Sequence, residues 1–249
     1  ERLLVSLGVT ITPSQGNFVF AKFARAALVA DLLAGLGIGV RPYPPGPLES
    51  WLRISVPISS DCSRLCSALR AVLAPGAIIF DMDGVLADVS GSYREAIVRT
   101  CATWGVVVTR EDVARIKEAG HANNDWVVTQ RLLAQHGVEA ELDEVTRRFE
   151  AVYQGTPGQP GLRLSESLLL SPEKLGVLAS RFSLGIVTGR PRADAMRFLR
   201  EQGIEGFFDA VVCMEDAPIK PDPAPVNLCV RLLGERGARG AWMIGDTRD

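Results

Sequence analysis

Histidine is scarce in this sequence. There are two in 249 residues, His121 and His136, and neither has a partner at metal-ligand spacing. Cysteine is present but unpatterned: Cys62, Cys66, Cys101, Cys213 and Cys229 are odd in number and scattered. That excludes a disulfide framework and a zinc site, and the five read as reduced, small apolar residues of a cytoplasmic protein. There is no basic excess, the net charge being -2, so no nucleic-acid partner is expected. No apolar run is long enough for a bilayer; Asp31, for instance, interrupts "ALVADLLAGLGIGV". No N-terminal signal pattern is present, and no membrane partner is expected. What remains is an ordinary globular balance, 47% hydrophobic and 22% charged, enough for one large or two modest domains.

Residues 1–73 read as one unit. The chain opens in a strand-like pattern. "VTITPSQGNFVFAKF" reads as two strands around a Pro-Ser-Gln-Gly-Asn turn. Residues 25–36 have helical spacing, "GIGVRPYPPGP" reads as a short strand followed by a proline-rich loop, and "SWLRISVP" reads as another strand. "SSDCSRLCSALRAVL" reads as a helix with Ser60 or Asp61 as its N-cap. "APG" at 74–76 breaks the pattern and marks the boundary.

Residues 77–249 alternate between strand and helix. Strands are predicted at 77–81, 183–188, 210–214 and 240–245, with helices at about 191–203 and 223–235. The strands are continuous apolar runs, as a parallel sheet covered on both faces requires. The fold class is therefore α/β, a doubly wound parallel sheet. Residues 90–175 interrupt it with mostly helical, polar-faced sequence that reads as an inserted subdomain, and "QGTPGQPG" at 154–161 reads as a flexible return loop. The run Glu139–Glu150 reads as a solvated helix face.

In such a sheet, ligands gather at the carboxyl ends of the strands. Those ends carry Asp81 and Asp83, then Thr188-Gly189-Arg190, then Gly245-Asp246-Thr247, with Lys220 shortly after the third strand in "IKPDP". Two carboxylates two residues apart repel unless a cation or a shared proton answers them. Asp81, Asp83 and Asp246 suit a hard cation with oxygen ligands, most simply Mg²⁺. Thr188 and Lys220 suit an oxyanion such as phosphate. A carboxylate can attack phosphorus, and a second acid can protonate the leaving alcohol and then activate water. Singly, each motif has a plainer reading: a helix-capping turn for the two acids, a helix start for Thr188, a solvated loop lysine for Lys220. Their common position at strand ends is what joins them.

"FDMDGVLAD", "IVTGR", "IKPDP" and "MIGDTRD" together resemble, in order, the four motifs of the haloacid dehalogenase superfamily, over about residues 77–249. The resemblance implies a phosphohydrolase acting on a small phosphorylated metabolite. It implies Asp81 as nucleophile and Asp83 as general acid/base, with the Asp83 backbone carbonyl on the metal. It also implies that Thr188 with Gly189 and Arg190 meets the phosphoryl group, that Lys220 steadies it, and that Asp246 binds Mg²⁺. The insert then resembles the family's helical cap, in which "AGHANNDW" offers Asn123 and Asn124 as substrate contacts; "NND" also reads simply as a helix cap. Asp88 orders the loop after the first motif. The fourth motif of the family usually carries a further acid three or four residues on; Asp249 fills the nearer position, and both ends of the chain read as cut. Phosphomutase chemistry with the same acids, or an inert fragment serving as a scaffold, stand as alternatives. Dehalogenation is disfavoured by the second acid, Asp83.

"TPSQGNFVFAKF", "GIGVRPY" and "LRISVP" resemble the C-terminal small domain of histidinol-phosphate aminotransferases, over about residues 1–73. That resemblance places Arg41 and Arg53 at a substrate's acidic groups and implies pairing of chains into a homodimer. The cofactor lysine of that family is outside this sequence, so pyridoxal phosphate is not expected to bind. The joining of the two segments points to histidinol phosphate as a substrate.

Overall fold

A computed structural model describes residues 1–118 and 124–246. The chain divides into two compact units. One comprises Glu1–Ile78, Arg181–Ser183 and Val230–Trp242, the other Ile79–Ser180, Leu184–Cys229 and Met243–Asp249.

The first elements in chain order are α1 (Arg2–Ser6), β1 (Thr10–Thr12), β2 (Phe18–Lys22), α2 (Ala26–Gly35), β3 (Arg41–Pro42), β4 (Trp51–Ser55) and α3 (Ser59–Leu73). The strands form an antiparallel sheet in the order β1-β2-β4-β3. Side chains alternate across a strand, so Val19 and Ala21 of β2 and Leu52 and Ile54 of β4 share one face. All four are buried in one cluster with Leu33 of α2 and Leu69 and Val72 of α3. On the opposite face Phe20 stacks on Trp51 at 4.7 Å, and Arg41 stands directly across from Arg53.

Two local expectations are corrected here. The strand-like opening is the helix α1, because Leu4 turns into the core while Glu1 and Arg2 stay exposed. The short strand expected in "GIGVRPYPPGP" is Arg41–Pro42, where pairing with β4 is available. Neither Ser60 nor Asp61 caps α3. The N-cap is Ile58, with no side-chain bond, and Asp61 lies in the first turn, where its charge favours the helix dipole. The unit also reaches beyond 1–73. Trp242 Nε1 donates to the Ala71 carbonyl at 3.1 Å, and the Gly76 N–H donates to the Gly240 carbonyl at 2.9 Å. Gly240 has φ +118°, and a Cβ there would stand 2.7 Å from Ala71 Cα, so a side chain is excluded.

The chain continues through β5 (Ala77–Phe80), β6 (Ala87–Asp88), α4 (Tyr93–Ala102), α5 (Arg110–Glu118), α6 (Asp125–Gln135), α7 (Leu142–Gln154), β7 (Gly155–Thr156), β8 (Gln159–Pro160), β9 (Ser167–Leu168), α8 (Pro172–Ala179), β10 (Ser183–Val187), α9 (Arg192–Glu201), β11 (Ala210–Val212), α10 (Ala224–Leu232), α11 (Gly234–Ala238) and β12 (Ala241–Ile244). The sheet order is β11-β10-β5-β12, with β10 and β11 parallel. Every residue of β5 is buried, as are the last four of β10. Continuous burial is the reason these runs do not alternate.

The insert leaves and returns through a two-stranded ribbon, Ala87 opposite Leu168 and Asp88 opposite Ser167. Helices α4, α6 and α7 pack around Tyr93, Ile97, Leu132, Phe149 and Tyr153. In α7 the buried residues are Val145, Phe149 and Tyr153, spaced by four; Asp143 and Arg147 stay exposed, but Glu150 is half-buried, so the expected solvated face does not extend to it. The return segment at 154–161 is not a loose loop: β7 and β8 close it as a hairpin. Among the described residues no helix is long and apolar enough to cross a membrane.

Phe149 is fully buried and stacks near Tyr93 and Tyr153. Phe149→Ala should cost about 3–5 kcal/mol of unfolding free energy, read by denaturant titration. A loss below about 1 kcal/mol would contradict this packing.

Candidate active site

Strand β5 delivers Asp81 at its end. The Asp81 N–H donates to the Ile244 carbonyl of β12 at 2.8 Å, which fixes the backbone there. Its side chain is 13% exposed. Oδ2 accepts from Lys220 Nζ at 2.5 Å, and Oδ1 accepts from the Met82 N–H at 2.8 Å. Burial pushes the Asp81 carboxyl up from its ordinary range; the Lys220 charge and hydrogen bond and the Met82 N–H oppose that, while the Asp83 charge adds to it. A mostly desolvated carboxylate is thus kept usable by one ammonium group.

Behind Asp81 the chain turns tightly, with Leu86 and Ala87 N–H groups both donating to the Met82 carbonyl. Gly84 sits in this turn at φ +74°, and a Cβ there would lie 2.3 Å from Asp246 Oδ2. The missing side chain is the cradle that lets the Asp246 carboxylate lie against the turn. Thr188, at the end of β10, is 4% exposed; its N–H donates to the Val212 carbonyl and its Oγ1 accepts from the Arg190 N–H. Thr188, Gly189 and Lys220 line one small recess with Cys213, Met214 and Pro218. The structure therefore brings Asp81, Lys220, Thr188 and Gly189 to one place, with Asp246 held on the Gly84 side of the turn.

Arg190 departs from the sequence expectation. It does not line that recess but is 2% exposed, turned inward between the rings of Tyr93, at 4.8 Å, and Phe198, at 5.4 Å. Its Nε donates to Asp83 Oδ1 at 2.6 Å and its Nη1 to Glu166 Oε2 at 2.8 Å. Buried there, the guanidinium meets a carboxylate on each side through charge-assisted hydrogen bonds. Asn124 is likewise spent locally, its Oδ1 accepting from the Trp126 and Val127 N–H groups as the N-cap of α6. Asn123, His121, Thr247 and Asp249 lie outside the described residues. Asp88 does order its loop, accepting from the Ser90 N–H at 3.0 Å. His136 Nδ1 lies 2.9 Å from the Leu132 carbonyl at the end of α6, and Arg53 packs over the Phe18 ring at 4.5 Å.

Sequence reading missed Glu166 and Tyr153. Glu166 sits in the polar "RLSES" stretch, where nothing distinguishes a buried acid from a solvated one; Tyr153 was legible only as the apolar stripe of α7. It missed Gln154 and Asp194 too. Gln154 Nε2 donates to Glu150 Oε2 at 3.0 Å and to Asp194 Oδ1 at 2.9 Å, while Arg197 donates to the other end of the same amide.

Among the described residues no three His, Cys, Asp or Glu side chains gather closely enough to hold a metal by themselves. Of the two or three carboxylates expected, the Asp83 side chain is taken by Arg190, which leaves that residue its backbone carbonyl. What is left is two carboxylates, Asp81 and Asp246, and backbone oxygen of the turn. All are hard oxygen donors, a set that fits Mg²⁺, which keeps several waters and commonly takes one or two carboxylates plus substrate phosphate.

Two substitutions test this description. Gly84→Ala should cost about 1–2 kcal/mol from the left-handed backbone alone, with the Asp246 clash added, measured by denaturant unfolding; an unchanged midpoint would contradict the turn. Glu150 is pushed up chiefly by burial, so its folded pKa lies above its unfolded one. Its ionised form therefore opposes folding, a penalty absent below the unfolded value and complete once pH has risen through the folded one. Glu150→Gln should raise Tm at roughly pH 8, with the gain closing by roughly pH 4. A gain that grows in acid would contradict the sign.

A profile of the family described as "Haloacid dehalogenase-like hydrolase" matches residues 78–249. An "Imidazoleglycerol-phosphate dehydratase" of Phytophthora nicotianae is 45% identical over 70% of this chain, which spans only 39% of that protein. "Pyrophosphatase PpaX" of Bacillus velezensis is 30% identical over 68% of this chain and 74% of its own length. "Histidinol-phosphate aminotransferase 1" of Bradyrhizobium diazoefficiens is 40% identical over 75 residues, 29% of this chain and 21% of that one. The chain thus spans well under half of two of these three relatives. Among solved structures, "Phosphatase Tt82 from Thermococcus thioreducens" superposes with TM-score 0.53 at 24% identity, over 70% of this chain and 95% of that one. A "putative phosphoglycolate phosphatase" from Lactobacillus plantarum superposes with TM-score 0.54 at 22% identity, over 70% and 78%. At these identities the superpositions establish a shared fold.

Proposed function

The chain belongs to the haloacid dehalogenase-like hydrolase family, and from that premise we propose that it is a Mg²⁺-dependent phosphohydrolase of small phosphate monoesters working through an aspartyl phosphate. The observation that carries this reading is the Asp81–Lys220 pair at the end of a buried strand, beside a recess that also holds Thr188 and Gly189.

Asp81 attacks phosphorus, and the ester P–O bond breaks. Lys220 and the Thr188 hydroxyl hold non-bridging oxygens of the transferring group, and Lys220 restrains the charge of the nucleophile. Asp83 gives a proton to the departing alkoxide. It then takes a proton from water, whose oxygen attacks the phosphorus of the aspartyl phosphate; the bond to Asp81 breaks and inorganic phosphate leaves. Asp81, Asp246 and the Asp83 carbonyl would hold Mg²⁺, which when bound offsets negative charge on the nucleophile and the phosphoryl oxygens.

The substrate class is a small phosphorylated metabolite. Histidinol phosphate is the specific candidate, supported by the likeness of one segment to a histidinol-phosphate aminotransferase and by the Phytophthora relative, whose name also contains a small phosphate ester. Phosphate release from p-nitrophenyl phosphate, histidinol phosphate and phosphoglycolate, each with Mg²⁺ or with chelator, tests both levels. Release should require the metal and fall by about a thousandfold or more in Asp81→Asn. Release unaffected by Asp81→Asn would overturn the mechanism. Phosphoryl return to substrate without net release would instead identify a mutase.

A further inference from the structure

The Arg190 cluster is larger than a salt bridge and is not explained by the reaction as drawn. Arg190 and Glu166 side chains are 1% and 4% exposed, so this ion pair is fully withdrawn from water. Tyr153 Oη donates to Glu166 Oε1 at 3.0 Å, and Glu166 Oε2 accepts from Arg190 Nη1 at 2.8 Å. On its other side Arg190 Nε donates to Asp83 Oδ1 at 2.6 Å, while Nη2 lies equally near that oxygen but makes no hydrogen bond. Asp83 itself remains 38% exposed although one of its oxygens is held. Tyr153 ends α7 of the insert, Glu166 lies in its return segment, Arg190 follows β10 and Asp83 follows β5. Residues of the insert are therefore wired, through one guanidinium clamped between two rings, to the acid beside the nucleophile.

Withdrawing an ion pair from water usually costs as much as it returns, so a buried pair is weak evidence for stability and better evidence for a fixed geometry. An arginine's planar fork transmits direction in a way a lysine cannot. We infer that Glu166 and Arg190 are positioning residues for Asp83: the insert, through them, sets the direction in which Asp83 offers and takes its proton. This rests on the phosphohydrolase reading and on the acid/base role of Asp83.

A residue that only braces the insert would slow all substrates alike. A residue that aims the general acid would matter most where the leaving group needs a proton. An alkyl alcohol needs one, whereas p-nitrophenolate leaves well without it. The experiment compares kcat/KM, which reports leaving-group departure, for p-nitrophenyl phosphate and for histidinol phosphate or phosphoglycolate, whichever alkyl ester the wild type hydrolyses faster. In Glu166→Gln the alkyl-to-aryl ratio should fall about tenfold, with KM nearly unchanged. Tyr153→Phe, which keeps the ring packing, should lower the ratio in the same direction and guards against a Glu166 variant that does not fold. In an Asp83→Asn background, adding Glu166→Gln should change the ratio no further.

Equal loss on both esters in folded variants would overturn the inference and leave the phosphohydrolase intact. So would a further fall of the ratio in the Asp83→Asn background. A wild type that releases phosphate from none of the three esters would overturn the phosphohydrolase reading, and this assignment with it.

Discussion

A carboxylate taken out of water at the end of a buried strand must be answered by a cation, and Lys220 on Asp81 is that answer. Much of the site follows from this one constraint. Burial alone would neutralise Asp81 and leave it a poor nucleophile; the ammonium group keeps the charged form accessible. The same lysine shares a recess with Thr188 and Gly189, so on the proposed mechanism one group would serve both the nucleophile and a phosphoryl oxygen. The strand supplies the burial, the Met82–Ala87 turn supplies the sharp exit, and Gly84 supplies the room for Asp246.

Arg190 applies the same logic one layer further in. Buried between two aromatic rings, it has to be matched by carboxylates, and it finds one on each side of the junction between sheet and insert. Gln154, held between Asp194 and Glu150, makes a second polar tie from α7 to α9. These ties give the insert a defined seat, and a helical insert with a defined seat can exclude water from small substrates.

The parts legible in the sequence were those with a local physical signature. The runs at 77–81 and 183–188 are largely continuous and apolar because both faces are covered, and each ends in a polar residue, Asp81 or Thr188. Asp81, Thr188 and Lys220 could be placed together because parallel strands share one carboxyl edge. What stayed hidden depends on distant partners. Glu166 and a solvated glutamate look alike in a sequence. Arg190 reads as a phosphate ligand until Asp83 and Glu166 are seen on either side of it. Asn124 has the residue type for either cap or contact, and only the two N–H groups it accepts from decide for the cap. Ile58 caps α3 with no side-chain bond although it is exposed, against the preference for polar caps, whereas Arg2–Ser6 holds good helix formers in Arg2, Leu3 and Leu4 and anchors Leu4 in the core.

The account stands on Asp81 as the group that accepts phosphorus. The most direct measurement is acid-quenched turnover of the best substrate with Mg²⁺, followed by peptide mass spectrometry. The account predicts one phosphoryl group carried on the peptide containing Asp81, absent in Asp81→Asn. Turnover with no phosphoryl group on that peptide at any quench time would contradict it.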